Sequence, residues 1–333
     1  MANSKSSSNS KRKLIVILGP TASGKSDLAV KLALLLGSEQ AKKKFGIKGA
    51  EIVSADSRQV YKGMDIGTGK ITKKEMQGIP HHLLDVASPK RRFTVVQFVK
   101  KAKEAIKKIY KKNKIPIVCG GTAFYIYALT DGLIIPEVKP DWKLRKKLEK
   151  LSPEKLYQKL KKLDPQRAKT IEKNNKRRLI RALEIVIKTK KPVPKLKRKP
   201  EFNCLFIGIK REQNELKKLI YKRLKKWLKQ GLLKEIKKLK KSGLSWKRLE
   251  EFGLEYEWGA KYLQNKVSYD EMIEKTQKDL EHFVKRQMTW FKKFARQQPE
   301  SQAIVSGNKK IHWVKNFNQA KKLVMEFLKN PPS

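Results

Sequence analysis

Apolar positions along this chain follow two periods that take turns. Unbroken apolar runs at 14–18, 115–119 and 205–209, with a similar stretch at 51–55, have the length of strands buried on both faces. Between them the spacing is helical: Leu28, Leu32 and Leu35 mark a helix over 27–36, and another runs over 95–111. Strands that alternate with helices predict an α/β fold with an open parallel sheet. The stretch 42–48 lacks such spacing and reads as a basic loop.

Past Ile135-Pro136 the pattern changes. From 140 to 200 the chain is helical in period, dense in lysine and bracketed by prolines, with short apolar faces Leu144/Leu148/Leu151 and Leu179/Leu183/Val186. This predicts a helical insertion domain carried by the sheet core. The run at 205–209 returns to the core. Amphipathic helices then follow over 212–230 and 232–241, a loop over 242–249 and a helix over 252–263. Ser268 with Glu271 three residues on is a capping box that opens a long helix. A last strand and helix occupy 310–314 and 317–328. The expected organisation is a polar start over 1–12, core over 13–136, insertion over 137–203, and the rest of the core with C-terminal helices over 204–333. No internal repeat is present.

The first apolar run leads into Gly19-Pro20-Thr21-Ala22-Ser23-Gly24-Lys25-Ser26. Every fixed position of the phosphate-binding loop G-x-x-x-x-G-K-[ST] is filled, between a strand and a helix. The core is therefore P-loop NTPase-like. In such a loop consecutive backbone N–H groups wrap an anion at a helix N-terminus. Lys25 adds a mobile positive charge, and the Ser26 hydroxyl is placed to help hold Mg²⁺. The loop specifies a diphosphate without specifying what becomes of it.

Charge changes the picture. Lys and Arg number 81 against 31 Asp and Glu, a formal net charge of +50. Lysines on nearly every helix account for part of this as solvated faces. The remainder points to a polyanion, because each phosphate neutralised releases counterions. The two cysteines, Cys119 and Cys204, support neither a disulfide framework nor a zinc site. The serine-rich start has no apolar core of a signal peptide, and no run reaches the ~20 residues of a membrane span. The expectation is a soluble, cytoplasmic, monomeric protein.

Asp56 ends the strand that follows the loop's helix, on the sheet edge where such folds bind ligands. Spacing alone leaves it as a metal ligand or cap in a kinase-like enzyme, or as a general base on a nucleophile whose leaving group is the diphosphate. Thr122, after Gly120-Gly121, opens a helix on the same edge and suits both a cap and a ligand contact. His81 and His82 read as loop hydrogen-bonders. Arg177 and Arg181 share a helix face that suits phosphate contact or plain solvation. In Lys285-Arg286-Gln287-Met288-Thr289-Trp290-Phe291-Lys292 cations alternate with aromatics, which suits a nucleic-acid face, although Trp290 and Phe291 equally suit a core.

Several stretches together resemble the tRNA dimethylallyltransferases. They are 19–26, Ala55-Asp56-Ser57-Arg58-Gln59-Val60-Tyr61-Lys62-Gly63-Met64-Asp65-Ile66-Gly67-Thr68-Gly69-Lys70, Pro80-His81-His82-Leu83-Leu84-Asp85 and Gly120-Gly121-Thr122. Arg177-Arg178-Leu179-Ile180-Arg181-Ala182-Leu183-Glu184, Ser268-Tyr269-Asp270-Glu271-Met272 and Lys285-Arg286-Gln287-Met288-Thr289-Trp290 complete the set. The resemblance covers about residues 14–292, in order. It implies transfer of a dimethylallyl group from dimethylallyl diphosphate to N6 of adenosine-37 of tRNA, without ATP, with the adenine flipped out of its stack. It also implies that 19–26 hold the donor's diphosphate with Mg²⁺, that Asp56 is the base, and that Thr122 and Arg223 contact the reacting groups and diphosphate. The tRNA contacts it implies are Asp56, Ser57, Arg58, Gln59, Ala123, Lys146, Arg177–Arg181 with Arg178, Leu179 and Ile180 between, Phe252, Gly253, Leu254, Glu255, Tyr256, Glu257, and Lys285 through Lys292. Many members carry Gly-Tyr and a basic residue where this chain has Glu255-Tyr256-Glu257, a Thr-Arg-Gln run at Leu280-Glu281-His282, and an arginine at Leu219, for which Arg211 or a lysine would compensate. An adenylate isopentenyltransferase, a small-metabolite kinase and a non-catalytic RNA-binding module are the competing readings.

Overall fold

The computed structural model of the chain describes residues 11–136, 138–295 and 310–329. β1 (Arg12–Leu18) is fully enclosed from Leu14 onward, and α1 (Lys25–Leu36) follows it with Leu28, Leu32 and Leu36 inside. Arg12, expected in the polar start, already belongs to the strand; residues 1–10 of that start lie outside the described residues. The basic segment 42–48 begins inside a helix, α2 (Glu39–Phe45). Ser38 caps it through the Ala41 N–H and Gly46, at φ 63°, ends it, so local capping overrides the missing apolar period.

β2 (Ala50–Ser54), α3 (Lys73–Met76), β3 (His81–His82), α4 (Val95–Lys111), β4 (Ile115–Gly120) and α5 (Ala123–Thr130) complete the first part of the core. β5 (Leu133–Ile134), α6 (Trp142–Leu148), α7 (Pro153–Leu163), α8 (Pro165–Thr170), α9 (Lys176–Thr189) and β6 (Lys197–Arg198) follow. The chain then runs through β7 (Phe202–Ile209), α10 (Gln213–Gln230), α11 (Leu232–Lys241), α12 (Trp246–Glu250), α13 (Leu254–Tyr262), α14 (Tyr269–Ala295), β8 (Ile311–Val314) and α15 (Phe317–Lys329). α12 falls within the stretch expected as a loop, because Ser245 caps it through the Arg248 N–H.

The sheet runs in the order β3-β2-β4-β1-β7-β8 with every pair parallel, as the alternating pattern predicted. Its parallel connections bring the ends of β1, β2, β4 and β7 to one edge. Ile15, Ile17, Ile52, Ile117 and Ile207 from the strands pack with Leu28, Leu32 and Val324 from the helices. A second apolar cluster places Leu232, Ile236, Leu249, Phe252 and Tyr256 against Val60, Tyr61 and Met64. That packing turns the glycine-rich segment 55–70 from a plain loop into a fixed one.

Two compact units are present, and the smaller is Leu133–Lys199, which starts and ends a few residues before the 137–203 expected from the prolines. Its core holds Leu148, Leu156, Leu160, Leu179 and Leu183. Beside that core Glu184 is wholly buried and accepts from the Asp141 N–H at 2.7 Å, from Arg145 Nε at 2.8 Å and from Arg181.

The larger unit has its own buried carboxylate. Glu51 has no exposed surface and lies 2.8 Å from His82 Nε2 and 3.0 Å from both Lys112 Nζ and Lys114 Nζ. Burial pushes its acidity weaker, but the bonds from His82, Lys114 and Lys112 outweigh burial and hold its pKa near 2. A depressed folded pKa contributes stability above the ordinary carboxylate value, and that stability is lost as pH falls from there toward 2. Glu51→Gln is therefore expected to cost about 1.5–3 kcal/mol at neutral pH. In urea melts between pH 7 and pH 3 it is also expected to flatten the acid loss seen in the wild type.

Candidate active site

Three turns meet at the carboxyl edge of the sheet. The first is the phosphate loop, where Ala22 at φ 61° and Gly24 at φ 87° take left-handed conformations before α1 begins. Only glycine adopts that conformation freely, so Gly24 is required where a side chain would be strained. No side chain caps α1, which leaves its first-turn N–H groups open toward an anion. Lys25 Nζ rests on the Pro20 carbonyl at 3.1 Å, and burial lowers its pKa. Ser23 is buried with its Oγ unpartnered.

The second turn carries Asp56. Its Oδ1 accepts from the N–H groups of Arg58 at 2.8 Å and Gln59 at 3.3 Å, so the carboxylate is clamped by its own turn. No hydrogen bond from a described residue reaches Oδ2. Gln59 in turn donates to the carbonyls of Thr68 and Gly69, tying the turn to the far end of the 55–70 segment.

The third turn is Gly120-Gly121-Thr122. A Cβ on Gly120 would collide with the Ala55 carbonyl, and one on Gly121 with the Gln287 amide, so both glycines permit close approach. Thr122 occupies the cap position of α5, its carbonyl accepting from the Tyr125 and Ile126 N–H groups, but its side chain does not cap that helix. Its Oγ1 accepts from the Ser57 N–H at 3.0 Å, which locks the Asp56 turn to the end of β4.

Helices from the C-terminal third close these turns. Gln287 of α14 accepts from the Thr21 N–H and donates to the Gly121 carbonyl, each at 2.9 Å, and so bridges the phosphate loop to the third turn. Arg223 of α10 donates to Thr21 Oγ1 at 3.2 Å and stacks over Trp227 at 4.3 Å. A Cβ on Gly69 would overlap the Arg223 guanidinium, so that glycine admits the arginine. Arg211 Nε reaches the Ser23 carbonyl at 3.4 Å while Nη1 pairs with Glu215, so it braces the loop's backbone. Glu235 of α11 accepts from the N–H groups of Asp65, Ile66 and Gly67 and from the Tyr256 hydroxyl at 2.6 Å. Gln287, expected among the tRNA contacts of 285–292, is buried and joins two turns instead, and nothing in the sequence singles out Glu235; the partners of both are long-range and left no local sign.

The structure thus brings Gly19, Pro20, Thr21, Lys25, Ser26, Asp56, Ser57, Arg58, Gln59, Thr122 and Arg223 to one edge, with Ala123 buried at the start of α5. Other expected contacts divide. Phe252 and Tyr256 face the apolar cluster, Glu255 is 5% exposed, and only Gly253, Leu254 and Glu257 of that segment reach solvent in part. In 285–292, Gln287 and Phe291 point inward, Met288 and Trp290 are half-buried, and Lys285, Arg286, Thr289 and Lys292 face out. On the smaller unit Leu179 and Ile180 are core, Arg178 pairs with Glu172, and Arg181 bonds Glu184 and the Val138 carbonyl. Arg177 and Lys146 are exposed. The expected Arg177–Arg181 pair is therefore one exposed cation and one structural one. A side chain in a core offers nothing to RNA, so Phe252, Tyr256, Leu179, Ile180 and Phe291 are packing residues. No helix among the described residues is long and apolar enough to cross a membrane.

The family model described as IPP transferase matches residues 59–294. The tRNA dimethylallyltransferase of Thermoanaerobacter sp. (strain X514) is 38% identical over 331 residues, covering 95% of this chain and 97% of that protein. That of Protochlamydia amoebophila is 39% identical over 298 residues, covering 85% and 82%. The solved full-length tRNA isopentenylpyrophosphate transferase of Bacillus halodurans superposes with a TM-score of 0.66 at 31% identity, covering 96% and 97% of the two chains. A eukaryotic dimethylallyltransferase, solved acting on tRNA, superposes at 0.71 with 27% identity, covering 95% and 77%. The chain belongs to the IPP transferase family.

Proposed function

We propose that this protein transfers the dimethylallyl group of dimethylallyl diphosphate to N6 of an adenosine in tRNA, adenosine-37 beside the anticodon, and releases diphosphate. The observation that carries the reading is where the acid stands. β4, the neighbour of β1, ends in Gly120-Gly121 with no carboxylate, whereas a nucleotide hydrolase or kinase uses an acid there for its metal. The available acid is Asp56, from β2, clamped through Oδ1 with Oδ2 open.

The roles follow. The open N–H groups at the start of α1, Lys25 and Arg223 receive the donor's diphosphate. Among the described residues no group of three or more His, Cys, Asp or Glu could hold a metal alone. A magnesium ion fits this donor set only together with the diphosphate: Ser26 would hold it, with phosphate oxygens and water completing the shell. It would neutralise charge on the leaving group. The N6 lone pair forms the new bond to the dimethylallyl C1 as the C1–O bond breaks, and that bond's electrons pass to the diphosphate oxygen. The N6 proton goes to Asp56 Oδ2. Arg223 and Lys25 stabilise the charge that grows on the leaving oxygen. The exposed cations Lys285, Arg286, Lys292, Arg177 and Lys146 supply the phosphate contacts to RNA.

The test is to incubate the protein with Mg²⁺ and dimethylallyl diphosphate labelled in the prenyl group, offering unmodified tRNA or AMP. Label is expected in tRNA alone. Label entering AMP but not tRNA would replace this reading with an adenylate isopentenyltransferase.

A further inference from the structure

Trp142 takes no part in the steps above, and its setting differs from that of every other tryptophan in the chain. It is 52% exposed, whereas Trp227 is buried and Trp246, Trp258, Trp290 and Trp313 are half-buried. A single apolar residue on a surface is ordinary. A large ring that is held in place there, without being buried, is not.

Three side chains of α9 hold the segment that leads to it. Arg181 donates to the Val138 carbonyl at 3.0 Å, Glu184 accepts from the Asp141 N–H at 2.7 Å, and Lys188 donates to the Lys139 carbonyl at 3.1 Å. Their spacing puts all three on one helix face, so 138–141 is pinned against α9. Asp141 then caps α6 through the Leu144 N–H at 2.9 Å, and Trp142 is the first residue of that helix. Arg145 bonds both oxygens of the wholly buried Glu184, at 2.8 and 2.6 Å, and sets its guanidinium carbon 5.1 Å from the centre of the Trp142 ring. A buried carboxylate thus fixes the cation against which the ring rests.

The surroundings are cationic. Lys139, Lys143, Lys146 and Lys188 are exposed, and the ion pairs on α6 and α9 use Arg145, Arg178 and Arg181, not these lysines. The two carboxylates at hand are spent, Asp141 on its helix and Glu184 in the interior. A preset aromatic surface among unpaired cations matches a chain that alternates flat bases with phosphates. An acidic peptide would use the cations and leave the ring without a purpose.

We propose that Trp142 is a stacking platform for an unpaired nucleobase of the RNA substrate, with the neighbouring lysines taking the flanking phosphates. The proposal rests on tRNA being the substrate. Its readout is binding, which needs neither dimethylallyl diphosphate nor turnover. Prenylation that fails while the variant still loses tRNA affinity therefore counts against the activity alone, and prenylation that proceeds with affinity unchanged counts against Trp142 alone.

The experiment titrates the full chain with unmodified tRNA and with a blunt RNA duplex, at low and at high salt. Trp142→Ala is expected to weaken tRNA binding about 5- to 100-fold, by the same factor at both salt concentrations, because stacking releases no counterions. Lys146→Ala is expected instead to lower the salt slope by about one. The duplex offers no unpaired base and is expected to bind wild type and Trp142→Ala alike. Unchanged tRNA affinity, a loss that salt abolishes, or an equal loss on the duplex overturns the proposal. Trp142→Phe keeps a ring, is expected to regain most of the affinity, and gives a second reading should the alanine variant not fold. The difference between wild-type and Trp142→Phe emission isolates Trp142, whose fluorescence tRNA is expected to quench and polyglutamate to leave alone. Emission unmoved by tRNA, or quenched as strongly by polyglutamate, overturns the proposal.

Discussion

Asp56→Ala is expected to lower prenyl transfer to tRNA by about 10²–10⁴-fold while leaving tRNA affinity within a few-fold. The range is that of a positioned general base. Two backbone N–H groups hold Oδ1, and the Ser57 N–H on Thr122 fixes the turn from the other side, so Oδ2 is presented without rotational search. The alanine variant removes both oxygens, and with them the clamp of the turn. Asp56→Asn keeps a carbonyl oxygen for the two N–H groups but cannot accept the proton. An asparagine variant as slow as the alanine variant assigns the loss to proton transfer. Recovery in the asparagine variant would assign it to the turn. Single-turnover rates with saturating tRNA, alongside a filter-binding isotherm, make both readings.

Arg223→Ala is expected to lower the single-turnover rate by about 10²–10³-fold and to weaken donor binding, because in the proposed reaction the arginine, bonded to Thr21 of the phosphate loop, stabilises the charge that grows on the leaving oxygen. Three contacts preorganise it: the Thr21 hydroxyl, the Trp227 ring and the space left by Gly69. A lysine cannot reproduce a planar group that stacks and donates at the same time. Arg223→Lys is therefore expected to recover less than one-tenth of the lost rate, although it preserves the charge. Full recovery in the lysine variant would mean that net charge alone is needed. The effect is read as kcat against KM for dimethylallyl diphosphate. Loss confined to KM would place Arg223 in ground-state binding only.

How much of this was legible in the sequence depended on whether the determining contacts are local. The phosphate loop, the Ser268–Glu271 capping box and the strand–helix alternation are written in neighbouring residues, and the structure carries them, including Ser268 N–H on Glu271 at 2.9 Å. The basic helix α2 was not legible, because lysine density hides the apolar period and its Ser38 and Gly46 caps act one residue at a time. The strand β3 is two residues long and exists only through pairing with Ile52 and Val53. In the site, Asp56 and Thr122 could be placed on the correct edge from strand ends. Gln287 and Glu235 could not, since their partners lie 166 and 168 residues away in sequence. The run 285–292 shows the same limit. Its cations and aromatics suited a nucleic-acid face while Trp290 and Phe291 equally suited a core, and the helix decides residue by residue, with Gln287 and Phe291 at i, i+4 inside, Trp290 half-buried, and Lys285, Arg286 and Lys292 outside.

Glu255 and Glu257 illustrate how burial decides what a charge means. Both are acids in a segment expected to face RNA. Glu257 is partly exposed and pairs with Lys261 at 2.6 Å, so its charge is spent locally. Glu255 is enclosed, and burial pushes its pKa up to about 8, which favours the protonated, uncharged form at neutral pH. The acidic pair thus leaves the positive field of the pocket nearly intact.

In the proposed reaction the phosphate loop grips a leaving group and not a fuel. The most direct test is a single turnover with dimethylallyl diphosphate labelled in the β-phosphorus, unmodified tRNA and Mg²⁺, with no ATP present. One labelled diphosphate released intact for each adenosine prenylated, at a rate unaffected by added ATP, is the result expected. Release of labelled orthophosphate in its place, or prenylation that begins only when ATP is supplied, would contradict the account.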